Sequence, residues 1–221
     1  MLFKAHDTKA IGAIMLSIIV IGILSISPEV DSPEFLTSAA QSAAKVTSSA
    51  IYQFIIALLY LAAAVLIYPT MMVHGPRRAM GYLCLTAIAA TLIVVGCCIL
   101  SMVLLFSQEL ARSPVQDTAM ANAIGQVFKI SRDFTNHGYM VLVLCIGKIL
   151  LYALFYTSGF VPSVLSVAGI VAALTSLVAS LLVLFQVIDV VTLEYIAMNA
   201  PTALHEIVLG VWFIVRAKPL K

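Results

Sequence analysis

Six apolar runs, each about long enough to cross a bilayer as a helix, take up most of the 221 residues. A spanning helix needs roughly 20 apolar residues. Once six have been placed, only short connections remain, so the expected fold is all-α: a six-transmembrane-helix bundle forming a single integral-membrane domain over residues 1–221. Composition agrees, with 62% hydrophobic and only 10% charged residues, where a soluble domain carries about 25% charged. A net charge of +2, spread along the chain, gives no footprint for nucleic acid.

The runs place helices at about residues 10–27, 51–73, 80–106, 137–156, 163–188 and 201–215. Lys4 and Lys9 before the first run have the form of a signal peptide's charged region; we take that run as the first span. Residues 28–50 are polar, then rich in Ser and Ala, and are expected to extend helix two beyond the membrane or form a surface helix. Pro69 falls near the end of helix two, where it should bend the last turn. Pro114 and Asp117 mark a turn before residues 118–130, an amphipathic stretch expected to lie in the interface. The link 157–163 makes helices four and five antiparallel neighbours, with Pro162 suited to the first turn of helix five. Ser166, Gly169, Ala173, Ser176 and Ser180 then form a small-residue face of the kind that lets membrane helices pack closely. Pro201 is expected to open helix six.

An even number of spans leaves both termini on one side. Lys4, Lys9, Arg77, Arg78, Arg216, Lys218 and Lys221 collect there, against Lys45, Arg112, Lys129 and Arg132 opposite. The positive-inside rule then puts both termini in the cytoplasm, and the expected location is the cytoplasmic (inner) membrane. His137, Asp189, His205, Glu206 and Gln53 are expected at one depth near the outer mouth, with Arg132 and Asp133 above them.

Two histidines beside carboxylates can ligate zinc or share acid and base work, which makes His137, His205 and Glu206 the catalytic candidates. However, His205 and Glu206 are neighbours whose side chains diverge by about 100°, and no H-E-x-x-H or E-x-x-H motif commits them to a metal. The alternative is interfacial polar residues touching water and headgroups. Cys84, Cys97, Cys98 and Cys145 all lie in apolar runs without C-x-x-C spacing and are expected as small core residues.

Lys148 is the sharpest anomaly. It lies about three turns beyond His137, hence ~16 Å deeper, near mid-bilayer. A cation there costs roughly 2.5–3.5 kcal/mol to insert and should face protein or a wet cavity. Helical phase puts His137, Leu144, Lys148 and Tyr152 on one face, as the wall of an outward-opening pocket would require. The ligand-binding set is therefore His137, Lys148, Tyr152, Glu206 and Asp189. Lys148 would anchor an acidic or carbonyl-bearing headgroup or relay a proton; structurally, it would bond backbone carbonyls or snorkel. No carboxylate at its own depth is evident as a partner. Tyr152, Phe155, Tyr156, Phe160, Trp212 and Phe213 read as an aromatic belt at the cytoplasmic interface.

His137-Gly138-Tyr139, Tyr152 and Ser158-Gly159-Phe160-Val161-Pro162, then Pro201, Glu206 and Trp212 before the basic Arg216, resemble the domain-of-unknown-function 4386 family of bacterial multi-helix membrane proteins. The resemblance is clearest over residues 130–218. It implies the fold and draws attention to His137 and Glu206, but implies no activity.

The function expected from these residues is a non-enzymatic lipid- or small-molecule-binding module, or an accessory subunit of a membrane complex. The alternatives are an intramembrane enzyme at the outer leaflet, possibly metal-dependent, and a small transporter. No motif implies a cofactor. Membrane lipid and other membrane subunits are the expected partners.

Overall fold

The computed structural model describes residues 5–113 and 118–215. The basic tail with Arg216, Lys218 and Lys221, together with Lys4, Pro114 and Asp117, lies outside the described residues. The described chain is helical without strands: α1 (Ala5–Leu24), α2 (Pro28–Asp31), α3 (Phe35–Gln41), α4 (Ala43–His74), α5 (Pro76–Arg112), α6 (Thr118–Asp133), a π-helical turn (Phe134–Tyr139), α7 (Met140–Ser158), α8 (Ser163–Leu184) and α9 (Leu193–Val215). Six of these helical stretches are long and apolar enough to cross a membrane, α6, the π turn and α7 counting as one. The protein is thus a multi-pass membrane helix bundle.

Each span packs chiefly on two others, and the series α1–α4–α5–α7–α8–α9 closes on itself through α1 and α9, with α4 and α7 also touching across it. The bundle is therefore a ring of six helices. Glycine allows the closure: a Cβ at Gly12 of α1 would stand 2.5 Å from the carbonyl oxygen of Gly210 on α9. The helix ends follow local chemistry. Gly159, at φ +66°, ends α7 in the left-handed conformation that glycine adopts without steric cost. Pro76 opens α5, where a missing N–H costs nothing. The small-residue face of α8 is buried at Ser166, Gly169, Ala173, Ser176 and Ser180.

Several helix limits differ from those read in the sequence, each for a physical reason. Helix two begins at Ala43, since its Ser/Ala-rich start continues the helix; Pro69 lies inside it. Helix three is longer, running to Arg112, because Ser107–Arg112 carry good helix formers on past the apolar run. The amphipathic stretch before helix four is continuous with it through the π turn. Helix five stops at Leu184, ahead of Gln186 at φ 56°. Helix six starts at Leu193, about two turns before Pro201. There the hydroxyl of Thr192 accepts the N–H of Tyr195 at 3.3 Å, capping the helix start. The proline is absorbed inside the helix, as bilayer-spanning helices tolerate when neighbours pack around them.

At the end of the ring away from Gly75 and Gly159, α2, α3 and α6 build a cap. Val30, Phe35, Ala39 and Val46 pack there against Leu100, Val103 and Leu104 of α5. Arg132, buried to 6% exposure, pins the cap by donating to Asp31 and Asp133, both at 2.6 Å. Lys45 pairs with Glu29 at 3.0 Å. Its own backbone N–H, and then Lys45, hold the Glu29 carboxyl below the ordinary carboxylate range.

Candidate functional site

Within α7, Leu144, Lys148 and Tyr152 repeat every four residues and turn one face into the ring. All three are buried. The Lys148 ammonium donates to the carboxylate of Glu206 on α9, itself 6% exposed. This overturns two expectations at once: Lys148 has an intramembrane carboxylate partner, and Glu206 is not at the outer mouth. The cause is the early start of α9 at Leu193, which carries Glu206 down to the level of Lys148.

Three tyrosines line the cavity with the pair. The Tyr60 ring of α4 faces Lys148 Nζ, 5.5 Å from its centroid, a cation–π geometry. Tyr82 of α5 and Tyr152 of α7 supply two more walls. Tyr152 also meets the His205 ring edge-on at 4.9 Å. Gly169 of α8 makes room for both, since a Cβ there would stand 2.6 Å from the His205 ring and 2.8 Å from that of Tyr152.

These groups border a cavity of about 40 Å³ whose remaining walls include Met15, Ile18, Leu144, Leu209 and Phe213. Thr86 of α5 also lines it. Its hydroxyl is buried and neighbours the Tyr82 hydroxyl, without a hydrogen bond of ordinary geometry among the described residues. A mostly apolar hollow with a few convergent polar groups is the general form of a small-molecule site.

The other candidates go elsewhere. His137 lies in the π turn, whose wider winding takes it out of phase with Lys148. Its Nδ1 is 3.0 Å from the Tyr195 hydroxyl, away from the lysine. His205 Nε2 meets the backbone carbonyl of Leu165 at 2.8 Å. Asp189 is exposed in the α8–α9 connection and does not line the cavity. Gln53 accepts from the Asn136 amide at 3.1 Å. His137, His205 and Glu206 therefore have three different partners, and among the described residues no group of three or more His, Cys, Asp or Glu side chains converges as a metal site would require. The shared outer cluster does not form.

Sequence reasoning missed Tyr60, Tyr82 and Thr86. A tyrosine in the middle of an apolar run was the available signal for Tyr60, because a phenol at that depth needs a polar neighbour. Phe155 and Phe213 also depart from the expected interfacial belt: each is about 1% exposed or less, and their rings meet edge-on with centroids 6.0 Å apart inside the ring. Aromatic residues near helix ends turn inward here because the ring leaves space to fill.

No curated protein and no solved structure matches the chain. The family model described as Domain of unknown function (DUF4386) matches residues 10–217, nearly the whole length. The chain, a six-span ring around a buried lysine–glutamate pair, belongs to the DUF4386 family.

Proposed function

We propose that the protein is a non-enzymatic membrane module that binds a small or lipidic molecule inside its helix ring, at the Lys148–Glu206 cavity. The observation that carries this reading is a hollow beside an intramembrane ion pair, lined also by three tyrosines and the buried Thr86. Ionisable groups within spans are costly, and they mark ligand or ion sites more often than packing. The residues assigned to the ligand are Lys148, Tyr152, Glu206, Tyr60 and Thr86. His137 instead supports the end of α9 through Tyr195.

The same protein sits in a bacterial inner membrane, as its family resemblance suggests, and the distribution of its basic residues puts both termini in the cytoplasm. On that orientation the cap of α2, α3 and α6 faces outward. A small transporter is the second reading, favoured by a charge pair in the interior of a closed ring. It requires that access to the pair alternate between the two faces.

Native mass spectrometry of the full chain, released from mild detergent, tests the binding reading. The wild type should carry a small-molecule adduct that Ala63→Phe, which fills the cavity, removes. A wild-type mass equal to the bare polypeptide under conditions that retain lipids on other membrane proteins would refute it. Cysteine labelling from each side of sealed vesicles, with Thr86→Cys, separates transport from binding.

A further inference from the structure

The cavity is not equally enclosed on all sides. Of all the side chains that line it, only Met15 on α1 and Tyr60 on α4 are half-buried; the others are buried. These two helices pack side by side in the ring. The lining is therefore least buried at the α1–α4 seam, on the flank of the bundle that faces lipid. Methionine suits such a threshold, because an unbranched thioether side chain re-packs readily. Tyr60 stands at the same seam with its ring over Lys148 Nζ, so whatever enters past Tyr60 meets the ammonium next.

Charge decides what can enter. Among the described residues Lys148 and Glu206 are the only buried charged side chains apart from Arg132 of the cap. Their pair is neutral as a whole. An anion drawn to Lys148 would leave Glu206 buried without compensation, and a cation drawn to Glu206 would do the same to Lys148; both are heavily disfavoured in a low-dielectric interior. An uncharged molecule leaves the pair intact. Hydrogen-bonding capacity decides which uncharged molecule. The ammonium has three N–H donors, of which Glu206 takes one, and the Thr86 hydroxyl, beside that of Tyr82, is in no hydrogen bond of ordinary geometry among the described residues. The remaining N–H groups of the ammonium are therefore left to meet an acceptor oxygen, which a ligand can supply. Its size, about 40 Å³, admits a polar tip and not a whole lipid.

We infer that the ligand is an uncharged lipidic molecule whose hydroxyl or carbonyl oxygen enters laterally from the bilayer between α1 and α4, past Met15 and Tyr60, to accept hydrogen bonds from Lys148 and Thr86. This rests on the binding role proposed above and adds the ligand class and the route. The hydrocarbon part stays in the seam and the surrounding lipid, against Met15 and Ile18.

Three photoreactive probes of equal chain length test it, each with a diazirine near the head: hexadecanol, hexadecanoate and hexadecylammonium. The full-length protein is irradiated with each in phosphatidylcholine nanodiscs and its labelled peptides are identified. The alcohol should label the peptides that contain Met15 and Tyr60, saturably, with unlabelled hexadecanol competing. Thr86→Val, close to isosteric, should weaken that labelling about tenfold, the worth of one hydrogen bond near 1.4 kcal/mol. Equal labelling by either charged probe would overturn the ligand class. Saturable labelling confined to helices other than α1 and α4 would overturn the route. Either result leaves the binding reading intact if the native adduct is present. Absence of both the adduct and any saturable labelling would overturn the two together.

Discussion

Lys148 and Glu206 stand on helices that both pack on α8, and their side chains meet inside the ring as a buried ion pair. The pair links α7 to α9 across the interior of the bundle. Such a pair contributes little net stability compared with apolar residues of similar volume, yet removing one member leaves a charge stranded.

Glu206→Ala and Lys148→Ala should each destabilise the bundle by about 3–5 kcal/mol. The double variant Lys148→Met with Glu206→Leu should recover most of that loss. Equilibrium unfolding in mixed micelles measures all three. A double variant as unstable as the sum of its singles would show that the charges act independently.

The ring closes where α1 crosses α9 at Gly12, whose added Cβ would meet backbone at 2.5 Å. Gly12→Ala should therefore cost about 1–3 kcal/mol through overpacking. Gly22→Ala on the same helix, where the added atom meets nothing within 4 Å, should be neutral or mildly stabilising. Similar melting temperatures for the two variants would contradict the close crossing.

Arg132 joins the cap to the long α6–α7 helix through Asp31 and Asp133. Arg132→Met should raise hydrogen exchange across α2, α3 and α6 while leaving α8 and α9 protected. The physical cause is twofold: the bridge is lost, and two carboxylates face each other without a cation. Uniform exchange changes through all spans would instead place Arg132 in the stability of the whole bundle.

Glu29 gives the cap a weak pH dependence. Its folded pKa lies below its unfolded one, so its contribution is fully present above the ordinary Glu value of about 4.3 and is lost as pH falls through the folded value. Lys45 is 76% exposed at its side chain, which makes the pair salt-sensitive and modest. Amide exchange in α2 and the start of α4 should rise only below about pH 4, and Glu29→Gln should remove that step.

Hydropathy and length were enough to read six spans and an all-helical bundle, because a helix in lipid must satisfy its backbone internally and so announces itself locally. The small-residue face of α8 was legible for the same reason: spacing along one helix decides which residues share a side. Lys148 was legible as a buried cation, since its depth follows from the apolar run around it. Its partner was not. Pro201 masked the true start of α9, and Thr192, the capping residue, looks ordinary among loop residues. Moving that start by two turns carried Glu206 from the mouth to the middle of the ring. His137 was misplaced by the π turn, because phase computed at 100° per residue fails wherever one turn is wider.

The sequence by itself determined how many helices cross the membrane, which faces are small, and that a lysine lies at mid-bilayer depth, where it must face protein or a wet cavity. Tertiary structure alone decided the order in which the helices close into a ring. That order brought Glu206 of α9, Tyr60 of α4 and Thr86 of α5 around Lys148 of α7. The reason is that hydrophobic patterning reports a residue's local face and depth, whereas the identity of its neighbours depends on helix starts and packing angles set by all six spans together.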